Sequence, residues 1–195
     1  GHALMADELV RLLPLQPAPA SSPPLLDRFA RKTLGNLETG QPWVQQAGTW
    51  TVDGKHAIPT ALGNLVTDAG FSDAAVSALV TYSAGAVAGV LAKSTDASTR
   101  IGWYLNGPST RAELYIGTSI AWWSSALSLT AGREYALRVE AQGDQVRCFL
   151  DGVLLRTQTL DSTTATTYAA HTNHGVRANN VTGTPKFRAF SVEPL

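Results

Sequence analysis

The chain holds a single cysteine, Cys148, so no disulfide can close within it. It is also poor in charge. Asp, Glu, Lys and Arg make up 15% of its 195 residues, well below the ordinary share of about 25%. Neither sign is in excess: Lys and Arg number 15, and so do Asp and Glu. A nucleic-acid binder needs a positive surplus to displace phosphate counterions, and docking on an acidic membrane needs one too. The composition argues against both. No apolar run reaches the roughly 18 residues that a membrane helix requires. No Gly-x-Ser-x-Gly elbow, His-Glu-x-x-His pair or Gly-rich phosphate loop is found.

What is there begins with an appendage. Gly1 to Met5 reads as a cloning remnant before a start at Met5, with no signal peptide after it. Ala6 to Leu13 is a short apolar stub, helical or extended. Pro14, Pro17, Pro19, Pro23 and Pro24 then make a stiff linker. The expected organisation is residues 1–24 as remnant, stub and linker, and residues 25–195 as one domain. A chain of this length buries roughly 70% of its unfolded surface, enough for a core without metal or disulfide.

From Leu25 onward the pattern is β. Tyr135, Leu137, Val139 and Ala141 alternate with Ala136, Arg138 and Glu140, which is the period of a half-buried strand. Asp151-Gly152 is a two-residue hairpin signal between Val146–Leu150 and Val153–Leu155. Ile101 to Asn106 and Arg111 to Gly117 alternate in the same way. Cys148 falls in step with Val146 and Leu150, as a small buried hydrophobe would. Trp43, Trp50 and Trp103 are expected in the core. No apolar stripe of helical period follows the linker, so little helix is expected. The pattern implies an all-β, two-sheet antiparallel sandwich.

The order of these motifs resembles the concanavalin A-like (laminin G-like) jelly rolls, above all those in minor tail proteins of phages infecting actinobacteria. LLDRFAR (Leu25 to Arg31) is similar to the opening strand of that family. GTWTV (Gly48 to Val52), IGWYLN (Ile101 to Asn106) and AELYIG (Ala112 to Gly117) follow in the expected order. LTAGREYALRVEAQGDQVRCFLDGVLL (Leu129 to Leu155) carries the most specific likeness. HGVRANN and KFRAFSVEPL resemble the closing pair. The resemblance implies a jelly roll on a virion tail outside the cell. Its implied partners are host cell-surface polysaccharide and other tail subunits, with a homo-oligomer in view. Below that reading, in order, stand two alternatives: a structural or oligomerisation domain without sugar affinity, and a secreted carbohydrate-binding module or glycan-processing enzyme. Related domains often place acidic residues before the last strand to hold calcium. Here Arg188-Ala189-Phe190 stand there. Asp27 is the one weak candidate ligand for a calcium that needs six or more oxygens, so no cofactor is expected.

Enzymes of this fold set carboxylates along one strand as Glu-x-Asp-x-x-Glu, flanking the scissile bond. Glu113 stands alone on its strand. Glu134 and Glu140 are separated by Ala136 and Arg138 on the alternating positions between them. A non-enzyme is expected. His171 and His174 lack a third ligand nearby. Sugar recognition instead needs aromatic faces for the C–H side of the ring and planar polar groups for the hydroxyls. Strand parity sets Tyr104 and Asn106 opposite Trp103, and Arg111, Glu113 and Tyr115 opposite Leu114. If the two strands pair, these residues share a surface, either a sugar platform of two tyrosines with Asn, Arg and Glu between them or an ordinary half-exposed sheet face. Trp122 and Trp123 point opposite ways, one inward and one out. Arg177, Asn179 and Asn180 are placed near a loop that could meet a ligand, although Asn is also a common turn residue.

Overall fold

The computed structural model describes residues 22–195, and of Asn180 and Val181 the backbone only. The stub and most of the linker lie outside the described residues. Fifteen strands follow in order: β1 (Leu25–Asp27), β2 (Val44–Gln45), β3 (Trp50–Val52), β4 (Ala57–Pro59), β5 (Gly63–Asp68), β6 (Ala74–Thr81), β7 (Ala86–Ser94), β8 (Ile101–Asn106), β9 (Arg111–Ile116), β10 (Ser119–Trp123), β11 (Glu134–Gln142), β12 (Gln145–Leu150), β13 (Val153–Thr159), β14 (Asn173–Val181) and β15 (Lys186–Pro194). They form two antiparallel sheets. Sheet I runs β13-β12-β11-β6-β15-β4-β3, with β1 paired to β15; sheet II runs β10-β9-β8-β7-β14-β5-β2. The protein is a jelly-roll sandwich.

Alternation builds the layers. In β11, Tyr135, Leu137, Val139 and Ala141 are buried, and they meet Val90, Trp103, Leu105 and Leu114 of sheet II in one core. Apolar side chains facing each other across two sheets are the main favourable term in such a fold. Trp103 adds a polar tie: its Nε1–H donates to the Phe149 carbonyl of sheet I at 2.9 Å. Trp43 and Trp50 are buried as expected, and Cys148 is fully buried. The Asp151-Gly152 hairpin forms with φ of 48° and 79°, the two positive values of a type I′ turn.

Three local outcomes differ from the sequence reading. The opening strand stops at Asp27, because Phe29 adopts φ 56°. β5 (GNLVTD) fills a place in sheet II that the sequence reading left unassigned. A short helix, α1 (Ser162–Tyr168), is present; the Asp161 side chain caps it by accepting from the Thr164 N–H, and it buries only Tyr168. One buried residue leaves no stripe to read. The cap gave the only signal.

Candidate functional site

The outer face of sheet II carries the polar and aromatic residues singled out above. β8 pairs with β9 in the register Tyr104↔Glu113 and Asn106↔Arg111, with Tyr115 opposite Gly102. Parity therefore brings Tyr104, Asn106, Arg111, Glu113 and Tyr115 onto one surface. The register continues through the neighbouring strands. One row crosses the sheet as Asn64–Arg177–Gly89–Tyr104–Glu113–Trp123. Arg177 thus lies within β14 and not in a loop. A register shift between Ala178 and Asn180 explains the asparagines there: a bulge at Asn179 sets its side chain beside Arg177.

The face is not a flat platform. Tyr104 is 1% exposed. Its ring lies among Val66, Val87 and Leu91, with Tyr115 edge-on at 5.2 Å. Gly102 makes this possible, since a Cβ there would stand 2.1 Å from the Tyr104 hydroxyl. Arg100 donates Nε–H to that hydroxyl at 3.1 Å. Tyr104 is therefore floor and not a stacking surface, which corrects the expectation of an exposed pair of tyrosines. Above it, Tyr115, Asn106 and Arg111 are half-buried. Trp123 stands at the β10 edge, 54% exposed.

Glu113 is buried and bonded by neutral donors. Its Oε1 accepts from Asn106 at 2.8 Å and from the Ser109 hydroxyl at 3.4 Å; Oε2 accepts from the Tyr115 hydroxyl at 3.2 Å. Burial, together with the neighbouring Glu113 charge and that hydrogen bond, pushes the Tyr115 phenol up to about 12. At the other end of the face, Arg177 donates to the side-chain oxygens of Asn64 and Asn179, and burial lowers its pKa. The β7–β8 loop folds onto this end: Asn64 donates to the Asp96 carbonyl at 3.3 Å and Arg100 donates to that of Ala97. Asp96 itself is spent within the loop, accepting from Ser98 N–H and Oγ and from Thr99 N–H. The Ser98 hydroxyl, with the Ser98 and Thr99 N–H groups, holds its carboxyl well below the usual range.

The remaining candidates separate. Trp122 turns inward, stacked on Trp103 at 6.1 Å with the Arg156 guanidinium 5.9 Å above it. One tryptophan in and one out is as parity required. Asp27 does not fit a calcium. It is fully buried, and both oxygens are taken: Oδ1 by Phe29 N–H and Arg31, Oδ2 by Arg31 and Trp43 Nε1–H. The Arg31 guanidinium already supplies the counter-charge. Arg188, expected before the last strand, lies within β15 and pairs with Glu134. His174 is buried, with Nε2–H donating to the Phe71 carbonyl at 2.9 Å and Nδ1 accepting from Lys93 N–H at 3.3 Å. Both nitrogens are used, so neither is free for a metal. The sequence reading missed Asn64 and Arg100. Arg100 was within its reach, since it precedes Gly102 and Tyr104 on the same parity.

A second opening, about 570 Å³, lies away from this face, with the Lys93–Asp73 ion pair (2.8 Å) in its wall.

The fold and this face define a jelly-roll sandwich with a polar, aromatic-edged sheet surface. Among solved structures, the chain is similar to a carbohydrate-binding module, CBM66, from Bacillus subtilis (15% identity, 84% of this chain and 97% of that one, TM-score 0.60). It is also similar to the Bacillus licheniformis β-glucanase (12%, 88% and 98%, TM-score 0.61) and to a Bacillus subtilis protein of unknown function with a galectin-like fold (12%, 77% and 88%, TM-score 0.58). At these identities the likeness is one of fold. No protein-family model and no curated protein matches the sequence.

Proposed function

We propose that this chain is a non-catalytic glycan-binding module that recognises bacterial cell-envelope polysaccharide through the outer face of sheet II, as part of a phage minor tail protein. The observation that carries the binding reading is the exposed Trp123 beside Tyr115, Asn106 and Arg111 on one sheet face. An exposed tryptophan offers its π-face to the C–H side of a sugar ring, and amide and guanidinium groups beside it take the hydroxyls. Neighbours of the same fold include a carbohydrate-binding module and glycan-active enzymes. The tail assignment rests on the order of motifs along the sequence.

The non-catalytic part rests on carboxylate spacing. Glycoside hydrolysis uses two carboxyls about 5–10 Å apart. Glu113 on β9 is one. Asp68 shares the face but lies on β5, four strands away, which is about 19 Å at ~4.8 Å per strand. Asp96 is committed to its own loop.

The test is binding of the labelled chain to intact actinobacterial cells, with released envelope polysaccharide as competitor. Saturable binding that the polysaccharide abolishes and Trp123→Ala weakens supports the proposal. A folded chain that does not bind at high micromolar concentration overturns it.

One observation favours a structural role in a tail assembly as the second reading. The edge strand β13 exposes Val153 (60%) and Leu154 (48%) next to an apolar cleft formed by Leu79, Ala136 and Phe149. An uncovered apolar edge suits a subunit contact. Light scattering distinguishes it: a concentration-independent monomer removes self-association.

A further inference from the structure

The described arginines divide by sheet. On sheet I and its loops most are paired with a carboxylate: Arg28 with Glu38, Arg31 with Asp27, Arg133 with Asp151, Arg138 and Arg147 with Glu140, and Arg188 with Glu134. Arg156 is the exception there; it donates to Gln158 and lies over the Trp122 ring. On the outer face of sheet II the pattern reverses. Arg100 and Arg177 are 4% and 6% exposed, and Arg111 is half-buried. Among the described residues none of the three has a carboxylate partner. Arg177 is held by two amide oxygens, and Arg100 by a phenol and a peptide carbonyl. All of these acceptors are neutral. The buried Nε atoms of Arg111 and Arg177 have no acceptor, a condition that those of Arg31 and Arg156 on sheet I share. The one carboxylate between them, Glu113, spends its oxygens on Asn106, Ser109 and Tyr115.

A buried guanidinium without a counter-charge is costly, and proteins pair such groups or reserve them for an anion. Around the Tyr104 floor three guanidinium groups face the single carboxylate of Glu113; Asp68, the other strand carboxylate of this face, lies toward its far edge on β5, where it accepts from the Gly70 N–H. The guanidinium fork matches the planar oxygens of a carboxylate and the oxygens of a phosphate. Arg111 is the one of the three that solvent reaches, and Arg177 lies beneath the exposed Asn179.

We infer that the glycan bound on this face is acidic, with an oxyanion that pairs with the half-buried Arg111 and is favoured by the uncompensated charge of Arg100 and Arg177 beneath the face. The inference rests on the glycan-binding reading of the same face and names the class of its ligand. Trp123 then holds a sugar ring at the β10 edge while the anionic group sits toward Arg111.

The full chain is titrated with polygalacturonate, a glycerol-phosphate polymer of teichoic type, and dextran. The first two separate carboxylate from phosphate, and the third is neutral. Expected is binding to at least one acidic polymer, with affinity falling as salt rises. Arg111→Gln is expected to weaken it by about tenfold, the loss of one charge-assisted hydrogen bond. Arg111→Lys is expected to restore part of it. Circular dichroism confirms that both variants fold. Binding to dextran as tight as to the acidic polymers, unchanged in Arg111→Gln, overturns the inference and leaves glycan binding standing. Binding to none of the three, together with none to whole cells, overturns both.

Discussion

Arg100 and Tyr104 meet across Gly102, the guanidinium Nε–H donating to the phenol oxygen at 3.1 Å over a residue with no side chain. This contact lays the Tyr104 ring flat and turns a presumed sugar platform into the floor of the face. Gly102→Ala puts a methyl 2.1 Å from the hydroxyl and within 2.5 Å of the ring. The ring must lift, and overpacking of this kind costs about 1–3 kcal/mol. Chemical denaturation reads that loss. An unchanged midpoint would mean that the ring has room to move.

His174 gives the protein a pH signature. Burial, aided by the Lys93 charge and opposed by the Phe71 carbonyl bond and by Asp68, lowers its pKa from 6.5 to about 4. The unfolded chain takes up the proton first, so this contribution is complete above about pH 6.5 and is lost as pH falls toward 4. The slope is about 1.4 kcal/mol per pH unit within that window. Surface carboxylates titrate nearby, so the readout is a difference. His174→Gln can keep one donor and one acceptor, and its stability is expected to fall less than that of the wild type between pH 7 and pH 4.5. Parallel curves would contradict the assignment.

Cys148 is a buried thiol whose pKa is pushed up by burial. It is expected to resist thiol reagents in the native state and to react fully in denaturant. Labelling of the folded protein within minutes would place it elsewhere.

Asp161 caps α1 through the Thr164 N–H at 2.9 Å. Asp161→Ala is expected to cost about 1 kcal/mol. Its amide exchange is expected to quicken in residues 162–168 and not in the strands.

The sandwich was legible because its strands alternate: Tyr135 to Ala141 and Ile101 to Asn106 each show which side chains face in. Parity placed Asn106, Arg111, Glu113 and Tyr115 on one surface on condition that β8 and β9 pair, and they do. What was not legible depended on space. Period two says that Tyr104 faces outward, but it cannot say that Gly102 lets the ring lie down. Asn179 and Asn180 looked like turn residues because a strand bulge uses the same amino acids. β5 was missed because Leu65 and Val66 sit between Gly, Asn, Thr and Asp, which punctuate turns elsewhere in the chain. Asp27 looked available to a metal until Arg31, one turn on in sequence, folded back to claim it.

The most direct measurement is an NMR titration of the isotopically labelled chain with fragments of bacterial envelope polysaccharide, read residue by residue. The account predicts shifts confined to the outer face of sheet II, at the Trp123 indole, Tyr115, Asn106, Arg111 and Asn179. Shifts at Val153 and Leu154, or around the Lys93–Asp73 opening, with sheet II unmoved, would contradict it.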